Sequence, residues 1–391
     1  MDALVREAAA AGHAQQAVVG TPADDPAPDV GGLAADAVTS VRFAAPGCAT
    51  AADLPFPVPG MSDVMPYPSS VWSRLDAGQL AAYRRVWRER LAAAVARFRP
   101  DIIHTHHVWL MSSLLKDVAP QVPVALTCHS TGLRQMTLTP GLADEVRRGC
   151  RRIERFCVLR DDHGDAIRDA LGVGPARIVR VGAGYRDDLF HAVGRPRELP
   201  PHLVYVGKLA EAKGLPWLLD ACTPLAAEAP GFTLHVAGDG AGPEADHLRR
   251  RLAALPWVAH HGQLDQAALA GLMRGCRVAV LPSFYEGVPL VLVEAAACGC
   301  RVVATDLPGV VERLAPALGA RLSLVPLPRL VGVDRPAPAD LPAFTARLRD
   351  ALAAALAAAP DGTADLGPFT WRAVYGRVAA VWRDLAGPGH D

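Results

Sequence analysis

The second half of the chain alternates short apolar runs with stretches whose apolar residues recur at helical spacing. The runs predict buried strands at residues 202–207, 233–237, 258–260, 277–281 and 301–305. The stretches between them predict helices at residues 214–228, 242–254, 265–274 and 289–298. Because strand–helix alternation is typical of a parallel sheet covered on both faces, this half predicts a Rossmann-like domain.

The first half shows the same alternation less cleanly. Its predicted strands are residues 15–20, 38–43, 101–104, 122–127, 156–159 and 178–181, with a long helix at 73–98. The fold class is therefore α/β, with two Rossmann-like domains that face each other across a cleft at the carboxyl ends of their strands. We expect domains at 1–193 and 202–366, joined by the Pro- and Gly-containing stretch 194–201, and a final helix within 367–391.

Length, charge and cysteine usage restrict the class of protein. At 391 residues the chain is long enough for two domains, and 40 Lys+Arg balance 40 Asp+Glu. Zero net charge argues against nucleic acid or an anionic membrane surface as the main partner. No apolar segment is long enough to span a bilayer, and no signal peptide is visible. The eight cysteines show no paired CxxC spacing, so we expect reduced thiols and a cytoplasmic location.

The most informative segment runs from Glu286 to Glu294. A strand ends before it, Glu286 and Gly287 lie in a loop, and the following helix is apolar on every face. A buried carboxylate such as Glu294 is costly unless it is hydrogen-bonded, either by an internal Arg or backbone amide or by the diol of a ligand. The free amides at the start of this helix, around Val288, Leu290 and Val291, form an anion site suited to a diphosphate.

A second element follows the first strand of the same half. Gly207 permits close backbone approach, and Lys208 and Lys213 lie at the strand end and the next helix start. These are two of only three lysines in the chain. A diphosphate leaving group needs its growing charge neutralised by a metal or by fixed cations. Because no carboxylate pair lies where it could hold a metal, the sequence predicts that the lysines replace one and that no cofactor is needed.

Together these residues resemble the family-four group of retaining glycosyltransferases with the GT-B fold. The resemblance extends over nearly the whole chain and includes Glu286-x7-Glu294, residues 207–214, Gly238-Asp239-Gly240, Thr305-Asp306, Glu312, residues 100–104, residues 127–129 and Trp371. It implies a nucleotide-sugar donor, linked to UDP or GDP, and transfer of a hexosyl unit to an acceptor hydroxyl. It also implies that the final helix returns to the first domain.

The resemblance assigns roles residue by residue. The residue matching Glu286 contacts the transferred sugar, and the one matching Glu294 holds the ribose hydroxyls. The basic residues matching Lys208 and Lys213 grip the phosphates; the first is commonly Arg, so Lys208 departs from the pattern. The histidine matching His129 lies beside the sugar and positions it. The anomeric configuration is retained, and the leaving phosphate helps to deprotonate the acceptor.

The acceptor, a small molecule or a glycan, is expected at the first domain. Candidate contacts are the loop at residues 59–70 and Ser130, Thr131 and Arg134, which follow His129. A rival interpretation from another class is a non-catalytic sugar-nucleotide-binding protein on the same fold, which measured sugar transfer distinguishes from an enzyme. Nothing in the sequence indicates which sugar or which acceptor is used.

Two other motifs compete with this interpretation. His104 and His106 share one face of a strand end, as two metal ligands of a hydrolase would, but the aspartate of an HxHxDH run is absent. Glycine strings at residues 182–184 and 238–242 imitate a dinucleotide fingerprint. Neither completes GxGxxG or is followed by the acidic residue that binds a ribose, so a nicotinamide dehydrogenase is disfavoured.

The start of the chain departs from the family pattern. Residues 1–12 predict a helix that precedes the strand at 15–20. In the family this helix comes second, after a strand and a glycine-rich loop that touches the donor phosphate. We therefore expect that the first domain lacks its first strand, and that the 391-residue chain folds poorly or binds donor weakly. Comparing its stability and donor affinity with those of a chain extended at the N-terminus tests this expectation.

Overall fold

The computed structural model describes residues 1–25, 28–45, 51–61, 65, 68–332, 334–358 and 364–387. These residues form two compact units: unit 1 comprises residues 1–182 together with 371–391, and unit 2 comprises residues 183–370. None of the helices in the described ranges combines the length and the apolarity that crossing a bilayer requires.

Helices and strands alternate through both units. The strands are β1 (Ala17–Pro22), β2 (Val38–Phe43), β3 (Ile103–His106), β4 (Val124–Cys128), β5 (Arg155–Val158), β6 (Ile178–Arg180), β7 (His202–Val206), β8 (Thr233–Ala237), β9 (Val258–Gly262), β10 (Val278–Leu281), β11 (Arg301–Thr305) and β12 (Leu322–Val325). The helices are α1 (Asp2–Ala10), α2 (Ala77–Phe98), α3 (Leu110–Ser113), α4 (Leu115–Val118), α5 (Ser130–Leu138), α6 (Pro140–Cys150), α7 (Asp161–Leu171), α8 (Leu215–Glu228), α9 (Pro243–Ala253), α10 (Gln266–Arg274), α11 (Leu290–Ala297), α12 (Pro308–Arg313), α13 (Ala315–Leu318), α14 (Leu341–Ala357) and α15 (Trp371–Ala386).

Unit 2 is built on a parallel sheet with the strand order β12-β11-β10-β7-β8-β9. All four residues of β10 are apolar and buried, and so are the three central residues of β11, as expected where helices cover both sides of a sheet. The order reverses between β10 and β7, the two strands that pair through Val278 and Leu203. In such a doubly wound sheet, the loops that follow these two strands meet at the carboxyl edge, where ligands bind.

Unit 1 contains two sheets among its described residues, a parallel pair β1-β2 and a parallel sheet β3-β4-β5-β6. Every residue of β4 is buried, which identifies it as an interior strand. The long helix α2 starts at a capping box in which Asp76 and Gln79 satisfy each other's backbone amides. No described strand pairs with both β1 and β3, whereas the first strand of unit 2, β7, lies between β10 and β8.

The final helix, α15, belongs to unit 1 although it follows unit 2 in the sequence. Its buried positions Val374, Val378 and Val381 form one apolar cluster with residues of the unit 1 strands and of α1. These positions are spaced so that they lie on a single face of the helix. Burying this face against the four-stranded sheet accounts for the apolar stripe in the sequence.

Several boundaries differ from the sequence-based expectation. The strand expected at 101–104 is β3 (Ile103–His106), because Ile103 starts the pairing with β4 by donating to the carbonyl of Pro123. Strand β12 and helix α14 are not predicted by the sequence pattern. The division between the units falls after residue 182 and not within 194–201. The reason is that Arg195 is tied to unit 2, where its guanidinium donates to the carbonyls of Arg274, Cys276 and Cys298.

Candidate active site

Glycines allow the loops after β7, β8 and β10 to pack together at the carboxyl edge of the unit 2 sheet. A methyl group on Gly238 would lie 2.0 Å from the carbonyl oxygen of Gly207, so these two loops meet backbone to backbone. Gly214 has a φ of +71° and its added methyl would lie 2.0 Å from the carbonyl oxygen of Pro282. Only glycine fits either position without moving the neighbouring strand end.

The loop after β10 brings Glu286 to Lys213. The amide of Phe284 donates to the carbonyl of Ala212 at 2.9 Å, which joins this loop to the one after β7. Lys213 Nζ then donates to Oε1 of Glu286 at 2.7 Å. The Ser283 hydroxyl donates to the same oxygen at 2.8 Å. Two residues predicted separately from the sequence are therefore in direct contact.

Lys208 occupies a different position. Its backbone carbonyl accepts a hydrogen bond of 2.7 Å from the buried Tyr205 hydroxyl, which fixes the turn after β7. Its side chain is exposed, and no ion pair is formed with it by any residue in the described ranges. Lys208 and Lys213 are thus not equivalent, because only Lys213 is paired with a carboxylate.

Helix α11 starts at this same edge. Pro289 precedes its first residue, and Gly287, Val288, Leu290 and Val291 are half-buried around the helix start. The first amides of a helix have no acceptor within it and carry partial positive charge. The loop is held close to α12, since a methyl on Gly309 would lie 1.9 Å from the carbonyl oxygen of Gly287.

Glu294 lies within α11 between buried apolar neighbours. Burial raises the pKa of its carboxyl to about 7. No residue in the part of the chain that the structure describes hydrogen-bonds this carboxylate, so the internal Arg or amide partner considered from the sequence is not found there. A half-buried carboxylate without a protein partner is an acceptor left for a ligand.

In unit 1, His129 directly follows the strand β4 and precedes α5. Its Nε2 is hydrogen-bonded to Nδ1 of His106 at 3.2 Å, and its ring lies 4.6 Å from that of His107. His107 has a φ of +69°, a left-handed conformation that is rare for a residue with a side chain. Burial, followed by the charge of His107, lowers the pKa of His129 to about 4, so the ring is neutral near pH 7.

His104 is engaged on both ring nitrogens. Trp382, which can only donate, gives its indole N–H to Nδ1 of His104 at 2.8 Å. Neutral His104 therefore carries its proton on Nε2, which lies 2.7 Å from the Thr127 hydroxyl. The pKa of His104 is lowered to about 4, mainly by burial and to a smaller extent by the charge of His129. His104 has no free nitrogen for a metal, and no group of three potential ligands comes together among the described residues.

The residues expected to contact the acceptor lie at the start of α5. Thr131 is hydrogen-bonded to Nδ1 of His107 at 3.2 Å, which brings it into the histidine cluster. Ser130 and Arg134 are exposed on the same helix. Part of the loop at 59–70, namely residues 62–64 and 66–67, lies outside the described residues.

Sequence reasoning missed Ser283 at this edge, and it named Thr305 only as part of a family motif, without foreseeing its contact with Ser283. Both are buried, and the Thr305 hydroxyl donates to the carbonyl of Ser283. The available signal was a polar residue at the end of each of two strands whose other residues are mostly apolar. Such residues at the carboxyl edge of a parallel sheet often take part in a site.

Two family models match the chain. A model described as "Glycosyltransferase Family 4" matches residues 1–188, and one described as "Glycosyl transferases group 1" matches residues 200–325. Between them they match most of units 1 and 2.

Curated proteins and solved structures are similar as well. The glycogen synthase of Mycobacterium tuberculosis is 32% identical over 232 residues, and the match covers 55% of this chain and 54% of the synthase. The chain thus spans about half the length of that relative. The phosphatidyl-myo-inositol mannosyltransferase of the same species is 30% identical over an alignment of 352 residues, and the match covers 84% of each chain. A UDP-forming α,α-trehalose-phosphate synthase from Burkholderia vietnamiensis has the same fold, with a TM-score of 0.59 and 16% identity over 96% of this chain and 99% of that one.

Proposed function

Because the chain belongs to the family 4, group 1 glycosyltransferases of the GT-B fold, we propose that it is a retaining, metal-independent hexosyltransferase. Its donor is a UDP- or GDP-linked sugar, and its acceptor is a hydroxyl of a small molecule or a glycan. Named relatives act in glycogen synthesis and in mannosyl transfer to an inositol lipid, which makes a polyhydroxylated acceptor the first class to test.

The observation that carries this proposal is the carboxylate of Glu294. It is half-buried, its pKa is raised to about 7 by burial, and it lacks a partner within the described ranges. A ribose diol supplies two hydroxyl donors to a carboxylate, which offsets the cost of burying it. Gly207 and the start of α11 are placed at the same edge, where backbone groups meet a diphosphate.

The reaction follows from these roles. The bond between the anomeric carbon and the diphosphate oxygen breaks, and the acceptor oxygen bonds to the same face of that carbon. The acceptor proton passes to the departing phosphate oxygen. Lys213, together with Lys208, neutralises the charge that grows on the diphosphate. Glu286 hydrogen-bonds the transferred sugar and orients it. His129, which is neutral near pH 7, is the residue to which the family resemblance gives a positioning role.

The experiment that tests the proposal measures binding of UDP and GDP by calorimetry and nucleotide release from a panel of UDP- and GDP-sugars. We expect one nucleotide to bind, and its sugar to be turned over equally well with and without EDTA. Lys213→Ala should raise the barrier by about 2–4 kcal/mol, by analogy with the loss of an oxyanion donor. Arg250→Ala, which removes an exposed cation of unit 2, is the control.

Three outcomes would contradict the proposal in different ways. A strict need for added magnesium or manganese excludes the role given to the lysines. Nucleotide binding without sugar release or transfer favours the non-catalytic sugar-nucleotide-binding protein. Absence of binding to any nucleotide excludes both.

A further inference from the structure

Ser283 is a buried polar residue at the edge of the unit 2 sheet for which the proposed chemistry gives no role. Its side chain is fully buried, and its hydroxyl donates to Oε1 of Glu286 at 2.8 Å. Its own backbone carbonyl accepts a hydrogen bond from the buried Thr305 hydroxyl at the end of β11. The backbone of Ser283, just after β10, is therefore anchored to the end of the neighbouring strand β11.

Glu286 is held asymmetrically. Oε1 accepts hydrogen bonds from the Ser283 hydroxyl at 2.8 Å and from Lys213 Nζ at 2.7 Å. Oε2 has no hydrogen-bond partner in the portion of the chain that is described. One carboxylate oxygen is thus restrained by the protein, and the other is left available for a ligand.

The two donors to Oε1 differ in chemistry. Lys213 is a flexible cation whose side chain is about one quarter exposed, so a diphosphate can attract it away from a single carboxylate. Ser283 is neutral and buried, so a diphosphate exerts little pull on it. When the donor is bound, Ser283 is the contact to Oε1 that persists.

We propose that Ser283 is a positioning residue: it holds Oε1 of Glu286 while Lys213 turns to the leaving diphosphate, and Thr305 supports it. This inference rests on the proposed function and deepens it, because it explains how Glu286 keeps its orientation after losing its ion pair. A carboxylate that rotates freely would contact the sugar in only a fraction of its orientations.

The first test is Ser283→Ala, measured by nucleotide release from the nucleotide-sugar that the wild type uses. A hydrogen bond to a charged group is worth enough to lower kcat about 10- to 100-fold. We expect the KM for the donor and the Kd for UDP or GDP to stay within about twofold of wild type, since free nucleotide does not engage Glu286. Ser113→Ala is the matched control, because its buried hydroxyl donates to the carbonyl of Leu110 in unit 1.

A double-mutant cycle distinguishes positioning from a general structural effect. In a Glu286→Ala background, Ser283→Ala should have no further effect on kcat, because the group that it positions is gone. Thr305→Val, which keeps the side-chain shape, should give a smaller loss that also disappears in that background. Ser283→Thr keeps the hydroxyl and should retain more activity than Ser283→Ala.

The inference is overturned if Ser283→Ala behaves like Ser113→Ala, or if its loss is the same with and without the Glu286 carboxylate. It is also overturned if kcat, nucleotide affinity and melting temperature all fall together, which indicates a structural role. Failure of the wild type to bind nucleotide and release sugar is a separate result, which contradicts the proposed function itself.

Discussion

Glu294 combines two properties that conflict in a folded protein, a charge at neutral pH and a place in an apolar helix. Desolvation raises its pKa from 4.5 to about 7. A carboxyl group whose pKa is raised by folding binds its proton more tightly in the folded state than in the unfolded state. Its contribution to stability is therefore complete below pH 4.5 and is lost as the pH rises through 7.

Because burial opposes ionisation of Glu294, we expect Glu294→Gln to stabilise the protein by an amount that depends on pH. A rise in the pKa of Glu294 from 4.5 to about 7 lowers the free energy of unfolding of the wild type by about 3 kcal/mol above pH 7. The variant should thus be more stable than wild type by up to about 3 kcal/mol at pH 8, and nearly equal to it at pH 4.5. Denaturant unfolding of both proteins at the two pH values, with Glu312→Gln as an exposed control, measures the difference. A gain that is the same at both pH values would contradict the burial argument.

Glu286 and Glu294 should also respond differently in kinetics. Under the proposed roles, Glu286→Gln removes a contact to the reacting sugar, so kcat should fall about 100-fold while donor affinity changes little. Glu294→Gln removes charge-assisted bonds to the ribose, so donor and nucleotide affinity should fall about 10- to 100-fold. Steady-state kinetics with calorimetry of nucleotide binding separates the two effects. Small and equal effects of both changes would count against the assignment.

At the scale of elements, the site is a set of loops joined by backbone contacts. Helix α12 approaches the Glu286 loop so closely that Gly309 has no space for a methyl group. The ion pair between Lys213 and Glu286 depends on a similar approach between the loops after β7 and β10, at Gly214. The geometry of the charged residues is thus set by where their backbones can pack.

Gly309→Ala tests this packing. The added methyl would lie 1.9 Å from the carbonyl oxygen of Gly287, so the Glu286 loop must shift. We expect a loss of about 1–3 kcal/mol in the free energy of unfolding, and lower turnover. Gly271→Ala is the control, because this glycine also lies within a helix but has open space around it. Its replacement should stabilise by up to about 1 kcal/mol through helix propensity alone. Equal effects of the two changes would show that α12 does not restrain the loop.

At the scale of the whole molecule, the chain starts in unit 1, builds unit 2 and ends in unit 1 again. Helix α15 covers the unit 1 strands with Val374, Val378 and Val381, and its Trp382 donates to His104. Helix α15 therefore contributes to the stability of unit 1 and to the protonation pattern of its histidine cluster.

Val378→Ala should weaken unit 1 selectively. Removing the buried methyl groups of Val378 should lower the free energy of unfolding of unit 1 by about 1.5–3 kcal/mol. Hydrogen exchange should then be faster in β4 and unchanged in β10 of unit 2. Ala380→Ser, an exposed change on the same helix, should leave both strands as protected as in wild type. Equal loss of protection in the two strands would show that the units unfold as one.

Much of this architecture follows from patterns that are local in the sequence. Strand β11 has the predicted bounds, and helices α8 to α11 lie within a residue of theirs at each end, because alternating apolar runs and helical spacing encode burial directly. The unusual environment of Glu294 was also visible, since a lone acid in an apolar helix stands out without any coordinates. The resemblance to family-four glycosyltransferases likewise rested on motifs whose residues are close in the sequence.

Other features were decided by the tertiary structure. The contact of Lys213 with Glu286 joins residues 73 positions apart, and it exists because β7 and β10 are neighbours in the sheet. The hydrogen bond between Thr305 and Ser283, and the proton position that Trp382 sets on His104, likewise depend on which strands and helices are adjacent. A sequence pattern reports whether a residue is buried. Which donor meets which acceptor is set by strand order and loop packing, because hydrogen bonds require partners within about 3 Å.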